Sequence, residues 1–219
     1  MKGAVFWAPG NFQLEELPDP QVKANEILIQ VKACGICGTD EHIIKGAAPA
    51  SPPVVLGHEY AGVVMAVGKG IKKFKIGDRV AVDPNITCGK CEYCLMGKPN
   101  LCRNLKALGV NIDGGFAEFS VLPATQAYKL SARVSFDEAA LVEPLACCVH
   151  GMELIEIKRG ETVFILGGGT IGLLMLQLAR LAGADRIIIS EPVSFKRRLA
   201  KKLGADEAVD PTKDNLPIR

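Results

Sequence analysis

The chain has 219 residues, a formal net charge of +2 and 48% hydrophobic residues. That length allows one large domain or two ordinary ones, and that composition supports a buried core rather than disorder. A near-neutral charge balance with 5% aromatics argues against a nucleic-acid partner or an acidic membrane surface, and no apolar run approaches the roughly 20 residues that span a bilayer.

The opening stretch, Met1 to Pro9, is too short and too soon interrupted for a secretory signal, so the expected location is cytoplasmic. Eight cysteines in that setting favour metal over disulfides.

Residues 2–7 and 26–33 read as strands, separated by Pro18, Pro20 and Asn25. In the second, polar and apolar residues partly alternate, as in a half-buried strand. Cys34-Gly35-Ile36-Cys37-Gly38-Thr39-Asp40-Glu41-His42 follows, and Gly57-His58-Glu59 answers it. Val63–Val67 and the stretch from Lys75 to Val82 then read as further short strands among glycine and proline turns. Strands at this spacing suggest a small all-β barrel or sandwich.

Cys88-x2-Cys91-x2-Cys94-x7-Cys102 is the strongest single signal. Four thiolates on short loops fit one closed tetrahedral zinc site, whose work is structural because no position is left for substrate. A pair of disulfides and a nucleic-acid zinc ribbon are the alternatives; the missing export signal and the neutral charge balance count against them.

Ser135 is placed to cap a helix beginning at Phe136, with Glu138 completing a capping box. Glu143 follows the apolar run Ala139–Val142. A carboxylate there is either a hydrogen-bonded interior acid or a metal ligand, because an unpaired buried charge is costly. With the thiolate of Cys37 and the imidazole of His58, Glu143 would complete a mixed zinc site of three protein ligands and one open position, the pattern of a catalytic metal. Cys34, Cys147, Cys148 and His150 read as packing residues rather than ligands.

From residue 161 the composition changes. Glu161–Leu166 is a mostly apolar run, as in a strand covered on both faces. It leads into Gly167-Gly168-Gly169-Thr170-Ile171-Gly172, then a helical pattern to Ala182, then the strand Arg186–Ser190 and Glu191, nineteen residues after Gly172. Strand, G-x-G-x-x-G, helix and a following acid together predict a dinucleotide site. Gly167 permits the tight turn, Gly169 lets pyrophosphate approach, and Gly172 lets helix pack on strand. The N–H groups around Thr170 and Ile171 open the helix toward phosphate. Glu191 suits the adenosine ribose hydroxyls and would repel a 2′-phosphate, which favours NAD over NADP. Lys196, Arg197 and Arg198 could bind that phosphate, but read better as the solvated face of a helix. Val209-Asp210 ends a third strand, and the second βαβ half of a full dinucleotide fold is not in the sequence.

Taken together, these residues resemble the zinc-containing medium-chain dehydrogenases, the alcohol, sorbitol and threonine dehydrogenase superfamily. Gly57-His58-Glu59-x2-Gly62-x5-Gly68-x2-Ile71 is similar to that family's zinc signature, and the cysteine lobe and glycine motif fall in the family's order. The resemblance implies an α/β plus mostly-β chain. A GroES-like β-barrel catalytic domain would cover residues 1–150, with the structural zinc lobe at about 86–104. The first half of a Rossmann doubly wound parallel sheet would cover 151–219.

It further implies Cys37, His58 and Glu143 as ligands of a catalytic zinc, and Glu59 beside that zinc as a ligand in some states. Cys88, Cys91, Cys94 and Cys102 would hold the structural zinc. Asp40 would support His58, and Thr39 and His42 would relay the proton. The implied activity is NAD-dependent oxidation of a secondary alcohol, polyol or amino alcohol, with homo-oligomers expected of full-length relatives. The alternative is a truncated, catalytically weak chain that binds zinc and adenine nucleotide. A zinc-free quinone reductase of the same superfamily is disfavoured, because both zinc sites look complete.

Overall fold

The computed structural model describes residues 1–213. They form two compact units, divided between Glu143 and Pro144.

The first unit begins with β1 (Lys2–Ala8) and β2 (Asn11–Glu16), joined at Gly10, which turns with a φ of +78°. The sequence of β2 carries no clear strand pattern of its own; pairing with β1 creates it. Next come β3 (Glu26–Gly35), α1 (Gly38–Ile44), β4 (Val54–Val55), β5 (Glu59–Val67) and β6 (Arg79–Val82). The cysteine lobe holds β7 (Asn85–Ile86), α2 (Glu92–Leu95) and β8 (Lys106–Ala107); β9 (Phe119–Pro123), β10 (Ala127–Lys129) and α3 (Phe136–Ala140) follow. The helix α4 (Val142–Ile155) crosses the division.

A five-stranded antiparallel sheet in the order β10-β6-β5-β3-β9 carries the core of this unit. Ile27, Ile29, Tyr60, Val64, Val80 and Leu122 are buried on it, and Tyr60 Oη and Ser120 Oγ satisfy each other inside at 3.0 Å. Two smaller sheets, β2-β1-β4 and β7-β8, complete the strands. A second cluster of Phe6, Ile43, Val54 and Leu56 seats α1 against β1 and β4. Ser135 caps α3 as expected: its Oγ accepts from the Glu138 N–H at 3.2 Å, and Glu138 Oε2 accepts from the Ser135 N–H at 2.7 Å.

The second unit contains most of α4, then β11 (Thr162–Leu166), α5 (Thr170–Ala182), β12 (Arg186–Ser190), α6 (Ser194–Lys202) and β13 (Glu207–Val209). The strands are parallel, in the order β11-β12-β13, as the strand–helix alternation requires. Leu176, Ala179, Ile187, Ile189 and Ala200 bury against one another. One expectation fails here. The strand read as covered on both faces is an edge strand, with Phe164 46% and Leu166 81% exposed. Apolar composition signals what a strand would bury, and none of the described residues covers these two.

Candidate functional site

Register builds the first site. Strands β3 and β5 pair so that Gly35 lies opposite Glu59 and Cys34 opposite Tyr60. Cys37 therefore stands two residues past one strand end and His58 one residue before the other, side by side although 21 positions apart in the chain. Two glycines make room. A Cβ on Gly35 would come within 2.3 Å of Glu59 Oε2, and one on Gly57 within 2.6 Å of the Phe116 ring. Gly57 also has a φ of +89°, a conformation other residues adopt only under strain. Its carbonyl accepts from the Gly115 N–H at 2.7 Å, which fixes the turn that presents His58.

One donor atom each from Cys37, His58 and Glu59 lies within 4.8 Å of the others. Thiolate, imidazole and carboxylate are zinc donors. Cys37 opens α1, where its N–H donates to Asp40 Oδ2 at 2.9 Å. Asp40 Oδ1 sits 3.5 Å from His58 Nδ1, and both atoms are buried without a hydrogen-bond partner. Burial works against the charged imidazole, but Asp40 and Cys37 outweigh it and raise the His58 pKa to about 9. Thr39 Oγ1 lies 3.6 Å from Cys37 Sγ, and His42 is one turn further along the same helix, exposed.

Glu143 does not join the tight cluster. It is near enough to act on it: burial pushes its carboxyl upward, His58 opposes that, and the charges of Glu59 and Asp83 add to the rise. The geometry thus gathers Glu59 into the tight group with Cys37 and His58, while Glu143 stands outside that group and still feels the charge of His58. Cys34 is no redox partner for Cys37. Burial, with Asp40 and Glu59 nearby, pushes its thiol up to about 12, which keeps it protonated and inert.

The second cluster is the cysteine lobe. Sulfur donors of Cys88, Cys91, Cys94 and Cys102 all lie within 4.8 Å of one another. Cys91 Sγ is 3.6 Å from Cys94 Sγ and 4.0 Å from Cys102 Sγ. Those spacings bracket the roughly 3.8 Å edge of a tetrahedron built on zinc–sulfur bonds of about 2.3 Å. The backbone N–H groups of Lys90 and Cys91 hold the Cys88 thiol down to about 6, favouring the thiolate a metal needs. The alternative pair of disulfides is not formed: none of the eight cysteines is in a disulfide.

The third candidate is the glycine loop of the second unit. Gly167 has a φ of +96°, and a Cβ on Gly172 would meet the Gly167 carbonyl at 1.9 Å, so both positions demand glycine. A Cβ on Gly169 would meet nothing within 4 Å, so the backbone there is open to a ligand. Gly169 is also the N-cap of α5 and has no side chain to offer, which leaves the first-turn N–H groups of Thr170, Ile171 and Gly172 facing outward. Glu191 is 5% exposed. Its Oε2 accepts from the Gly168 N–H at 2.7 Å and its Oε1 from the Val193 N–H at 2.8 Å. Each oxygen keeps a second lone pair for a further donor. Sequence reasoning passed over two residues here. Arg197, read as part of a solvated face, is paired with Asp210 at 3.1 Å. The usable signal was strand order, since the ends of neighbouring parallel strands meet.

The chain is similar to known proteins over nearly its whole length. An L-threonine 3-dehydrogenase of Alteromonas mediterranea is 39% identical over 209 residues, which is 93% of this chain and 60% of that protein. A structure from Sinorhizobium meliloti 1021, described as a zinc-binding dehydrogenase and bound to NADP, is 46% identical with a TM-score of 0.95, covering 98% of this chain and 63% of that one. The structure of a short chain alcohol dehydrogenase from Escherichia coli CFT073, complexed with NADH, is 36% identical with a TM-score of 0.90, covering 97% of this chain and 63% of that one. The chain thus spans about three-fifths of the length of the curated relatives it matches. Residues 23–132 match the alcohol dehydrogenase GroES-like domain and residues 170–218 the zinc-binding dehydrogenase domain, one in each compact unit, and the chain belongs to the zinc-binding dehydrogenases that carry them.

Proposed function

We propose that this chain supplies the metal site and the adenosine half of a zinc-dependent dehydrogenase acting on a secondary alcohol, polyol or amino alcohol with NAD. The observation that carries the reading is the Cys37, His58 and Glu59 cluster, three zinc-type donors converging at the end of a strand pair. Two relatives named above support its two parts, a threonine dehydrogenase and a dehydrogenase complexed with NADH.

Cys37 and His58 would hold the catalytic ion, with Glu59 or Glu143 as the carboxylate donor. With its Nδ1 turned to Asp40, His58 keeps Nε2 for the metal, and Asp40 fixes the ring's orientation. When bound, the zinc would act as a Lewis acid on the substrate oxygen, making its hydroxyl easier to deprotonate. Thr39 Oγ1 would accept the hydroxyl proton while releasing its own toward His42, and His42 would pass that proton on to water. Cys88, Cys91, Cys94 and Cys102 would hold the structural zinc and take no part in the chemistry. The N–H groups at Gly169–Gly172 would receive the pyrophosphate, and Glu191 the ribose hydroxyls. The expected division of labour is a catalytic unit near 1–150 and a nucleotide unit near 151–219.

A second reading concerns the 219 residues by themselves. Among the described residues the parallel sheet has the three strands of one mononucleotide half, and hydride transfer needs the nicotinamide held as well. We infer that this chain alone binds zinc and adenine nucleotide and turns over weakly. Metal analysis with NADH formation on a panel of diols, polyols and threonine tests both. Two zinc ions per chain with chelator-sensitive turnover support the first; two zinc ions without turnover support the second. Fewer than one zinc per chain would overturn both.

A further inference from the structure

The placement of Arg197 in the nucleotide unit is not used in the reading above. Arg197 lies in the first turns of α6, next to Lys196 and Arg198. Its guanidinium is turned inward: Nη1 donates to the carbonyls of Glu191 at 2.6 Å and Pro192 at 2.7 Å, and Nη2 pairs with Asp210 Oδ2 at 3.1 Å. The Arg197 and Asp210 side chains are only 19% and 9% exposed. Asp210 is itself fixed, because its Oδ1 accepts from the Thr212 hydroxyl at 2.7 Å and the Thr212 N–H at 3.1 Å.

The sheet explains the meeting. Ser190 pairs with Val209, so Glu191 and Asp210 are the next residues at adjacent strand ends, and the Glu191 N–H donates to the Val209 carbonyl at 3.0 Å. The loop at 191–193 is therefore held twice. The Glu191 carboxylate grips Gly168 and Val193 by their N–H groups, and Arg197 grips the carbonyls of Glu191 and Pro192.

We propose that Asp210, acting through Arg197, is a positioning residue that sets the preference for an adenosine ribose with a free 2′-hydroxyl over one with a 2′-phosphate. This rests on the nucleotide reading above and adds to it a residue and a direction. A 2′-phosphate would bring close to two negative charges beside the Glu191 carboxylate. A guanidinium is the side chain best shaped to offset them, since its fork matches phosphate. Asp210 weakens that option twice over: it neutralises Arg197, and with the two carbonyls it engages three of the five N–H donors of the guanidinium.

The test is calorimetric binding of 5′-AMP and adenosine 2′,5′-bisphosphate to the 219-residue chain at fixed salt. The native protein prefers 5′-AMP. In Asp210→Asn, nearly isosteric and uncharged, the affinity ratio moves toward the 2′-phosphorylated ligand by about tenfold or more; in Asp210→Asn with Arg197→Gln that movement disappears. Thr212→Val, which only loosens Asp210, moves the ratio the same way by about two- to threefold and serves if Asp210→Asn does not fold. An unchanged ratio in Asp210→Asn, or in Thr212→Val where that variant serves, overturns the proposal. So does an equal loss of both ligands, which marks a merely structural role, or a shift that persists without Arg197. A native chain that binds neither nucleotide overturns the nucleotide reading itself and this proposal with it.

Discussion

His58 Nδ1 and Asp40 Oδ1 lie 3.5 Å apart, both buried and neither with a hydrogen-bond partner. Each therefore depends on the other's charge. Asp40→Asn removes that charge but keeps an oxygen that can accept from the Cys37 N–H, as Asp40 Oδ2 does now. Zinc affinity at this site should fall about 10–100-fold, the usual cost of losing a carboxylate behind a ligating histidine. Competition with a chromophoric chelator measures it, and the cysteine-lobe metal should stay bound. An affinity within threefold of the native value would show that Asp40 does not support the ligand.

The cysteine lobe has its own signature. Cys94→Ser should lower the zinc content from two ions per chain to one. It should also cost at least about 2 kcal/mol, or roughly 4–8 °C in thermal midpoint for a chain of this size. Limited proteolysis should then cut first between Cys88 and Cys102. A variant with full zinc content and native melting would remove the structural role assigned to these thiolates.

Gly57 and Gly38 make a matched pair. Gly57 has a φ of +89° and no room for a Cβ, while a Cβ on Gly38 would meet nothing within 4 Å. Gly57→Ala should destabilise the first unit by about 2 kcal/mol or more, from backbone strain and overpacking together. Gly38→Ala should be nearly silent, since alanine is the better helix former. Parallel thermal melts separate the two; equal effects would contradict the geometry.

Acid stability follows from carboxylates held low. The Ile187 N–H and Arg180 lower Asp206, and the Thr212 hydroxyl and N–H with Arg197 and Lys213 lower Asp210, both from an ordinary 3.8. Their stabilisation is fully present above the unfolded value. It is lost as pH falls below about 4 toward the lowered folded values, because the unfolded chain binds protons first. Thermal midpoints should therefore show no pH dependence from these groups between pH 5 and 7, where their contribution is complete, and should drop on the acid side, less steeply in Asp206→Asn. An acid limb of unchanged slope in that variant would mean that Asp206 contributes nothing.

Much of the site was legible because its signals are local. Cys88, Cys91, Cys94 and Cys102 fall within one short segment, the glycine motif sits between one strand and one helix, and Ser135 caps a helix whose third residue is Glu138. Other features were not legible. β2 exists because β1 pairs with it, and seven-residue α1 is too short for a periodic pattern; Asp40 fixes its start. Phe164 and Leu166 show the converse, since their apolar character predicted burial that the described residues do not provide.

The order of residues by itself determined the donor types, the closed cysteine set and the strand–glycine–helix unit, because each needs only neighbours a few positions apart. Tertiary structure alone decided that Glu59 joins Cys37 and His58 in one tight group, and that Arg197 faces Asp210 instead of water. The reason is register. Which side chains meet at the end of a sheet depends on how its strands align, and that alignment is set by pairing and packing over the whole unit.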